Sequence, residues 1–121
     1  MKQLLITILL TLAITTQARA DELKVTCYCP ESCPGEVTAS GEYVRDGIAA
    51  VGREHFGDCA MIWTLDGQFL GYYECLDIGG TEAIRKGYVI DLWKPDMATC
   101  KDIMKVTEGK VIVQWVDNPK G

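Results

Sequence analysis

Apolar positions along this chain fall into short runs separated by glycine and proline. Most of the runs show the two-residue period of a strand rather than the longer period of a helix. The first covers residues 23–28, where Leu23, Val25 and Cys27 alternate with Lys24, Thr26 and Tyr28. A loop with two prolines and a glycine follows over 29–35. Ile48, Ala49, Ala50 and Val51 then form a brief apolar strand that stops at Gly52. Residues 59–65 and 68–75 are rich in apolar and aromatic side chains, and Asp66-Gly67 between them is a strong hairpin signal. A tight turn there sets Cys59 opposite Glu74 or Cys75. Residues 84–87 read as a loop or short turn, and 88–93 as a strand. Pro95-Asp96 opens the one convincing helix: Asp96 is placed to cap it, Met97, Cys100, Ile103 and Met104 share one face, and Gly109 is the stop. Residues 111–116 close the chain as a strand, and 118–121 form a frayed tail. Many short strands with one helix, no repeats and no linker predict a small mainly-β barrel with one short C-terminal helix.

The apolar run at the start has another character. Lys2, the run from Leu4 to Ile14 and the small-x-small triplet Ala18-Arg19-Ala20 predict a signal peptide over 1–20, cleaved after Ala20. The run is too short to span a bilayer as a mature helix. The expected product is one domain, 21–121, that is secreted, extracellular or cell-wall associated, with no stable membrane insertion once the signal is removed. So small a domain buries a modest core and benefits from cross-links. All six cysteines lie in it: Cys27, Cys29, Cys33, Cys59, Cys75 and Cys100. An even count in a short exported chain reads as disulfides, with 15 possible pairings. The hairpin register favours Cys59–Cys75. The close spacing of Cys27, Cys29 and Cys33 also allows a metal clip, but it is not a paired zinc spacing and His55 is the sole histidine. Disulfides are therefore expected, with no metal, no cofactor and a monomeric chain.

Without Lys2 and Arg19 the domain holds 10 basic and 17 acidic residues, a net charge of −7. That balance, with no basic cluster, argues against nucleic acid as a partner and against simple electrostatic attachment to anionic lipid or wall polymers.

The candidate chemistry lies in two neighbouring stretches, Asp77-Ile78-Gly79-Gly80 and Val89-Ile90-Asp91-Leu92-Trp93. Glycines such as Gly79 and Gly80 let a backbone pass close to a ligand. Aspartate is depleted in strands, so Asp91 between Ile90 and Leu92 needs a reason. One reading has Asp77 capping a turn and Asp91 facing water on an edge strand. The other holds Asp91 in a poorly solvated place beside ionised Asp77, which raises its pKa and makes it an acid. Glycosidic cleavage needs such an acid on the leaving oxygen and support for positive charge at the anomeric carbon. Glu74 and Glu82 are the other nearby acids. Tyr28, Trp63, Tyr72, Tyr73 and Trp93 could stack on sugar rings, although a small barrel needs most such side chains in its core. A Ser/His triad, a Cys/His protease and calcium binding by the Asp77 loop fit less well, and His55 reads as a loop or packing residue.

Four segments in order, Thr38-Ala39-Ser40-Gly41, Ile48-Ala49-Ala50-Val51, Asp77-x-Gly79-Gly80 and Ile90-Asp91-Leu92-Trp93, resemble the 3D (three-aspartate) domain. That domain is found in MltA-type lytic transglycosylases and in small secreted stationary-phase cell-wall proteins. The resemblance covers about residues 25–116. It implies a six-stranded double-psi β-barrel acting on peptidoglycan glycan strands. The bond cut would join N-acetylmuramic acid to N-acetylglucosamine, leaving 1,6-anhydromuramic ends. It further implies that Asp91 is the acid/base, that Asp77 is its companion, and that Thr38, Ser40, Gly79, Gly80 and Tyr28 line the substrate site. The chain departs from the pattern at Gly52, where the family carries its first aspartate, at Ile78 in place of threonine, and in a longer gap before Asp91. The missing aspartate motivates a second expectation, a non-catalytic module that holds cell-wall glycan without cutting it. The cysteines exceed the family's minimum and imply a disulfide-stapled branch.

Overall fold

The computed structural model describes residues 20–31 and 37–117. The expected signal peptide, Cys33 with the loop around it, and the expected C-terminal tail lie outside the described residues. The strands are β1 (Ala20–Tyr28), β2 (Ile48–Val51), β3 (Cys59–Trp63), β4 (Phe69–Ile78), β5 (Val89–Trp93) and β6 (Lys110–Val116). Between them lie a one-turn helix α1 (Glu82–Arg85) and the longer helix α2 (Met97–Thr107). The segment at 84–87, expected as a loop or short turn, begins in this one-turn helix. Thr81 nucleates that turn by accepting the Ile84 backbone N–H on its hydroxyl at 3.3 Å.

The six strands close into a barrel in the order β1-β5-β2-β4-β3-β6. Two neighbouring pairs are parallel, β1 with β5 and β2 with β4; the other four are antiparallel. Closure removes free edges, so β5 lies between β1 and β2 and the edge-strand reading of Asp91 is set aside. Strand alternation fills the interior with Val25, Ala49, Val51, Ile62, Ile90, Leu92, Val111 and Val113. The hairpin turns where expected: Gly67 has φ 97°, the Thr64 N–H donates to the Gln68 carbonyl at 2.8 Å, and the Gln68 N–H donates to the Thr64 hydroxyl at 2.9 Å. Asp96 caps α2 by accepting the Thr99 N–H at 2.7 Å. The helix ends on Glu108 in the left-handed region, φ 55°, followed by Gly109 at φ 82°.

The expected Cys59–Cys75 bridge is not made. No two cysteines among the described residues lie at bonding distance. The register sets Cys59 opposite Glu74, so alternation turns Cys59 and Cys75 toward opposite faces of the hairpin. Cys75 packs in the barrel interior instead.

One irregularity positions the candidate site. Between β2 and β4 the register runs Ile48 with Glu74 and then Ala50 with Asp77, so β4 carries an extra residue there. Such a bulge re-aims the side chains beyond it. Leu76 joins Ile48 and Trp93 in a second apolar cluster, separate from the interior one and packed by Tyr28 and Val44. Asp77 is thereby brought to the same outer face as Ala50.

Candidate functional site

Four consecutive strands present one row of side chains. Thr26 pairs with Asp91, Asp91 with Ala50, and Ala50 with Asp77. Ile90 and Leu92 on either side of Asp91 point into the core, so Asp91 faces outward by alternation. The residue separating the two aspartates is Ala50, whose methyl leaves room for carboxylates to approach from both sides.

The two carboxylates have different surroundings. Asp77 is tied down on three sides: the Tyr28 hydroxyl donates to Oδ2 at 3.2 Å, and the Ala39 and Ile78 N–H groups each donate to Oδ1 at 3.0 Å. Among the described residues Asp91 receives one side-chain hydrogen bond, from the Thr26 hydroxyl to Oδ1 at 2.8 Å. It is half-buried, and its pKa is raised above the ordinary carboxylate range. Loss of solvation is the main cause, the Thr26 hydrogen bond works against it, and the negative charge of Asp77 adds to it. A fixed, hydrogen-bonded carboxylate next to one that holds its proton more tightly is an arrangement suited to acid/base work.

The 37–43 segment closes over Asp77. Ala39 binds the carboxylate, and the Ser40 N–H donates to the Leu76 carbonyl at 3.0 Å. Thr38 is buried; its hydroxyl lies 2.7 Å from that of Ser40 and donates to the Glu42 carbonyl at 3.1 Å. Thr38 therefore shapes the turn, and Ser40 is the hydroxyl left exposed beside Asp77. Gly41 completes the turn with φ 89°.

The two glycines after Asp77 differ. A Cβ on Gly79 would sit 2.2 Å from Ile84 Cγ2, so this glycine exists to let α1 pack against the strand end. A Cβ on Gly80 meets nothing within 4 Å, which leaves its backbone open to solvent. Gly52 is as constrained as Gly79: a Cβ there would lie 2.8 Å from the Arg85 carbonyl oxygen and 3.0 Å from that of Ile84. An aspartate at position 52 has no place in this packing.

The remaining candidates are accounted for elsewhere. Glu74 is paired with Arg45 at 3.1 Å and Glu82 with Lys86 at 3.0 Å. Tyr73 lies inside the barrel, where its hydroxyl accepts from buried Lys94 at 2.5 Å. Trp93 is buried with Ile48 and Leu76, and its Nε1 has no hydrogen-bond partner among the described residues. Tyr72 is exposed, and Trp63 contacts Phe69. His55 stacks on Trp115 with ring centroids 3.6 Å apart, a packing role. Among the described residues no group of His, Cys, Asp or Glu side chains is arranged to hold a metal ion, and no helix is long and apolar enough to cross a membrane.

Sequence reading missed Thr26, which belongs to no motif, and took Ala50 only as part of the apolar strand Ile48–Val51. Each matters because the barrel sets it next to Asp91. Asp77 and Asp91 are both partly exposed on this outer face. Two residues along the same strands, where Lys24 pairs with Val89, a cavity of about 510 Å³ begins, walled also by Ala83 and Tyr88. A comparison with protein-family models and with curated proteins finds no match for the chain.

Proposed function

We propose that this protein is a secreted lytic transglycosylase that cuts peptidoglycan glycan strands, with Asp91 as acid/base. The observation that carries the reading is the Thr26–Asp91–Ala50–Asp77 row, in which one carboxyl is desolvated and the other is held by three hydrogen bonds. In this scheme the Asp91 carboxylic acid gives its proton to the glycosidic oxygen as the C1–O bond breaks. The muramic acid C6 hydroxyl then bonds to C1 and returns its proton to the Asp91 carboxylate, closing the 1,6-anhydro ring. One carboxyl serves both steps, so no water and no covalent enzyme intermediate are needed. Asp77 contributes negative charge beside the cation that develops at C1. Ser40 and Gly80 are the exposed groups that line the approach to this pair, and Tyr28 orients Asp77. On this reading the barrel is of the double-psi type, for which the two parallel pairs in a closed six-stranded sheet speak. The protein then works outside the cell after loss of residues 1–20.

The test is digestion of insoluble peptidoglycan with the purified full domain, with products read by mass spectrometry. Release of 1,6-anhydro muropeptides, lost in Asp91→Asn, is the expected result. Products with ordinary reducing ends would rule out the intramolecular mechanism.

Gly52 favours a second reading, a module that binds wall glycan without cutting it. The carbonyls of Ile84 and Arg85 occupy the space a third carboxylate would need. Co-sedimentation with peptidoglycan in the absence of any released fragment would select this reading over the first.

A further inference from the structure

The cysteines of β1 and α2 come together although they lie far apart in the chain. Helix α2 packs on β1, and buried Cys100 on that helix and Cys27 on the strand are close enough to act on each other's ionisation. Cys29 also reaches Cys100, while its own Sγ donates to Glu31 Oε2 at 3.0 Å. Cys27 and Cys100 both line a cavity of about 360 Å³, together with Thr26, Met97, Lys101 and Met104. Cys29 does not line it and is fully buried.

We propose that Cys27 and Cys100 are the site of a disulfide that fastens α2 to β1 beside the Thr26–Asp91 pair. Cysteines that line one cavity, one on a strand and one on the helix packed against it, are placed for such a bond. The cavity gives a small-molecule disulfide access to both. One Cys thiolate attacks a sulfur of that disulfide and releases one thiol; the second Cys thiolate then attacks the mixed disulfide and releases the other. Two electrons and the two cysteine protons leave with the released thiols. Burial and the neighbouring Cys100 push the Cys27 thiol up to about 12, which makes this sulfur a poor free nucleophile and suits a structural bond rather than a catalytic thiol. The loop closed by the bond contains most of the barrel, so its effect on the unfolded chain is large. The bond also holds the wall of the cavity that adjoins Thr26. This inference stands apart from the catalytic reading, since the bond forms or fails whether or not the protein cuts glycan.

The experiment uses the full domain, oxidised in a mixture of oxidised and reduced glutathione, alkylated and digested without reduction. Chymotrypsin is included because Tyr28 offers a cut between Cys27 and Cys29. The expected result is a Cys27 peptide joined to the Cys100 peptide. Joining the two should raise the melting temperature over the reduced protein by at least about 10 °C, and Cys100→Ser should abolish that part of the gain. Cys100 recovered alkylated, or joined to Cys29 or Cys33, would overturn the pairing. So would a stoichiometric zinc ion, retained by the protein as isolated, that protects these thiols from alkylation. The wild-type map decides the matter even where a serine variant does not fold.

Discussion

Thr26 and Asp91, on strands that meet only when the barrel closes, are joined by a 2.8 Å hydrogen bond in which the hydroxyl donates to the carboxylate. Among the described residues it is the one hydrogen bond that favours the charged form of a carboxyl whose surroundings otherwise favour the neutral form. Thr26→Val keeps the shape and removes the donor, so the pKa of Asp91 rises further. Activity that needs protonated Asp91 is lost as pH rises through that pKa. The alkaline limb of the pH–activity profile for anhydro product should therefore move to higher pH in Thr26→Val. The maximal rate should change by less than about tenfold. An unmoved limb would exclude Asp91 as the group titrating there.

Asp91 itself should cost stability. Its folded pKa lies above its unfolded value. Between the two, the folded protein keeps the proton and the unfolded chain does not, so stability falls as pH rises through that window. Above it the full penalty remains. Asp91→Asn carries no charge and still accepts from Thr26. It should be more stable than the parent at neutral pH by about 1 kcal/mol, with the difference fading as pH falls through the ordinary carboxylate range. Urea unfolding of both proteins across pH checks the sign.

Gly79 and Gly52 face the same helix α1 but meet different atoms. Gly79 is closed off by the Ile84 side chain, Gly52 by backbone carbonyls of Ile84 and Arg85. Each change to alanine should destabilise by about 1–3 kcal/mol. In an Ile84→Ala background the cost at Gly79 should largely vanish and the cost at Gly52 should persist. Equal rescue at both positions would contradict this packing. Gly52→Asp, which sets a carboxylate against those carbonyls, should destabilise as well and bring no gain in activity.

Glu108 holds a left-handed conformation, φ 55°, at the end of α2. Glycine adopts it without the Cβ conflict. Glu108→Gly should stabilise the domain by up to about 1 kcal/mol, read as a shift in denaturation midpoint with unchanged slope.

Much of the fold was legible in the pattern of residues. The alternation over 23–28, the Asp66-Gly67 turn and the Asp96 cap depend on neighbours within a few positions, and the corresponding elements form where expected. The same is true of the short apolar strand Ile48–Val51 and of a carboxylate planted between Ile90 and Leu92. Those are local matters of backbone propensity and side-chain period.

The pairing of strands is not local. Turn length alone left Cys59 opposite Glu74 or Cys75; the register chose Glu74, which removes the favoured Cys59–Cys75 bridge, because one residue of register reverses every side chain. Sequence by itself determined that Asp77 and Asp91 would be unusual aspartates beside glycines and a buried strand. The tertiary structure decided that they share one face, because a bulge in β4 turns Asp77 outward and Ala50 alone separates them. It also decided that Thr26 would be the partner of Asp91 and that no carboxylate could stand at Gly52. Desolvation and contact across strands depend on which surfaces are brought together, and that follows only from closure of the barrel.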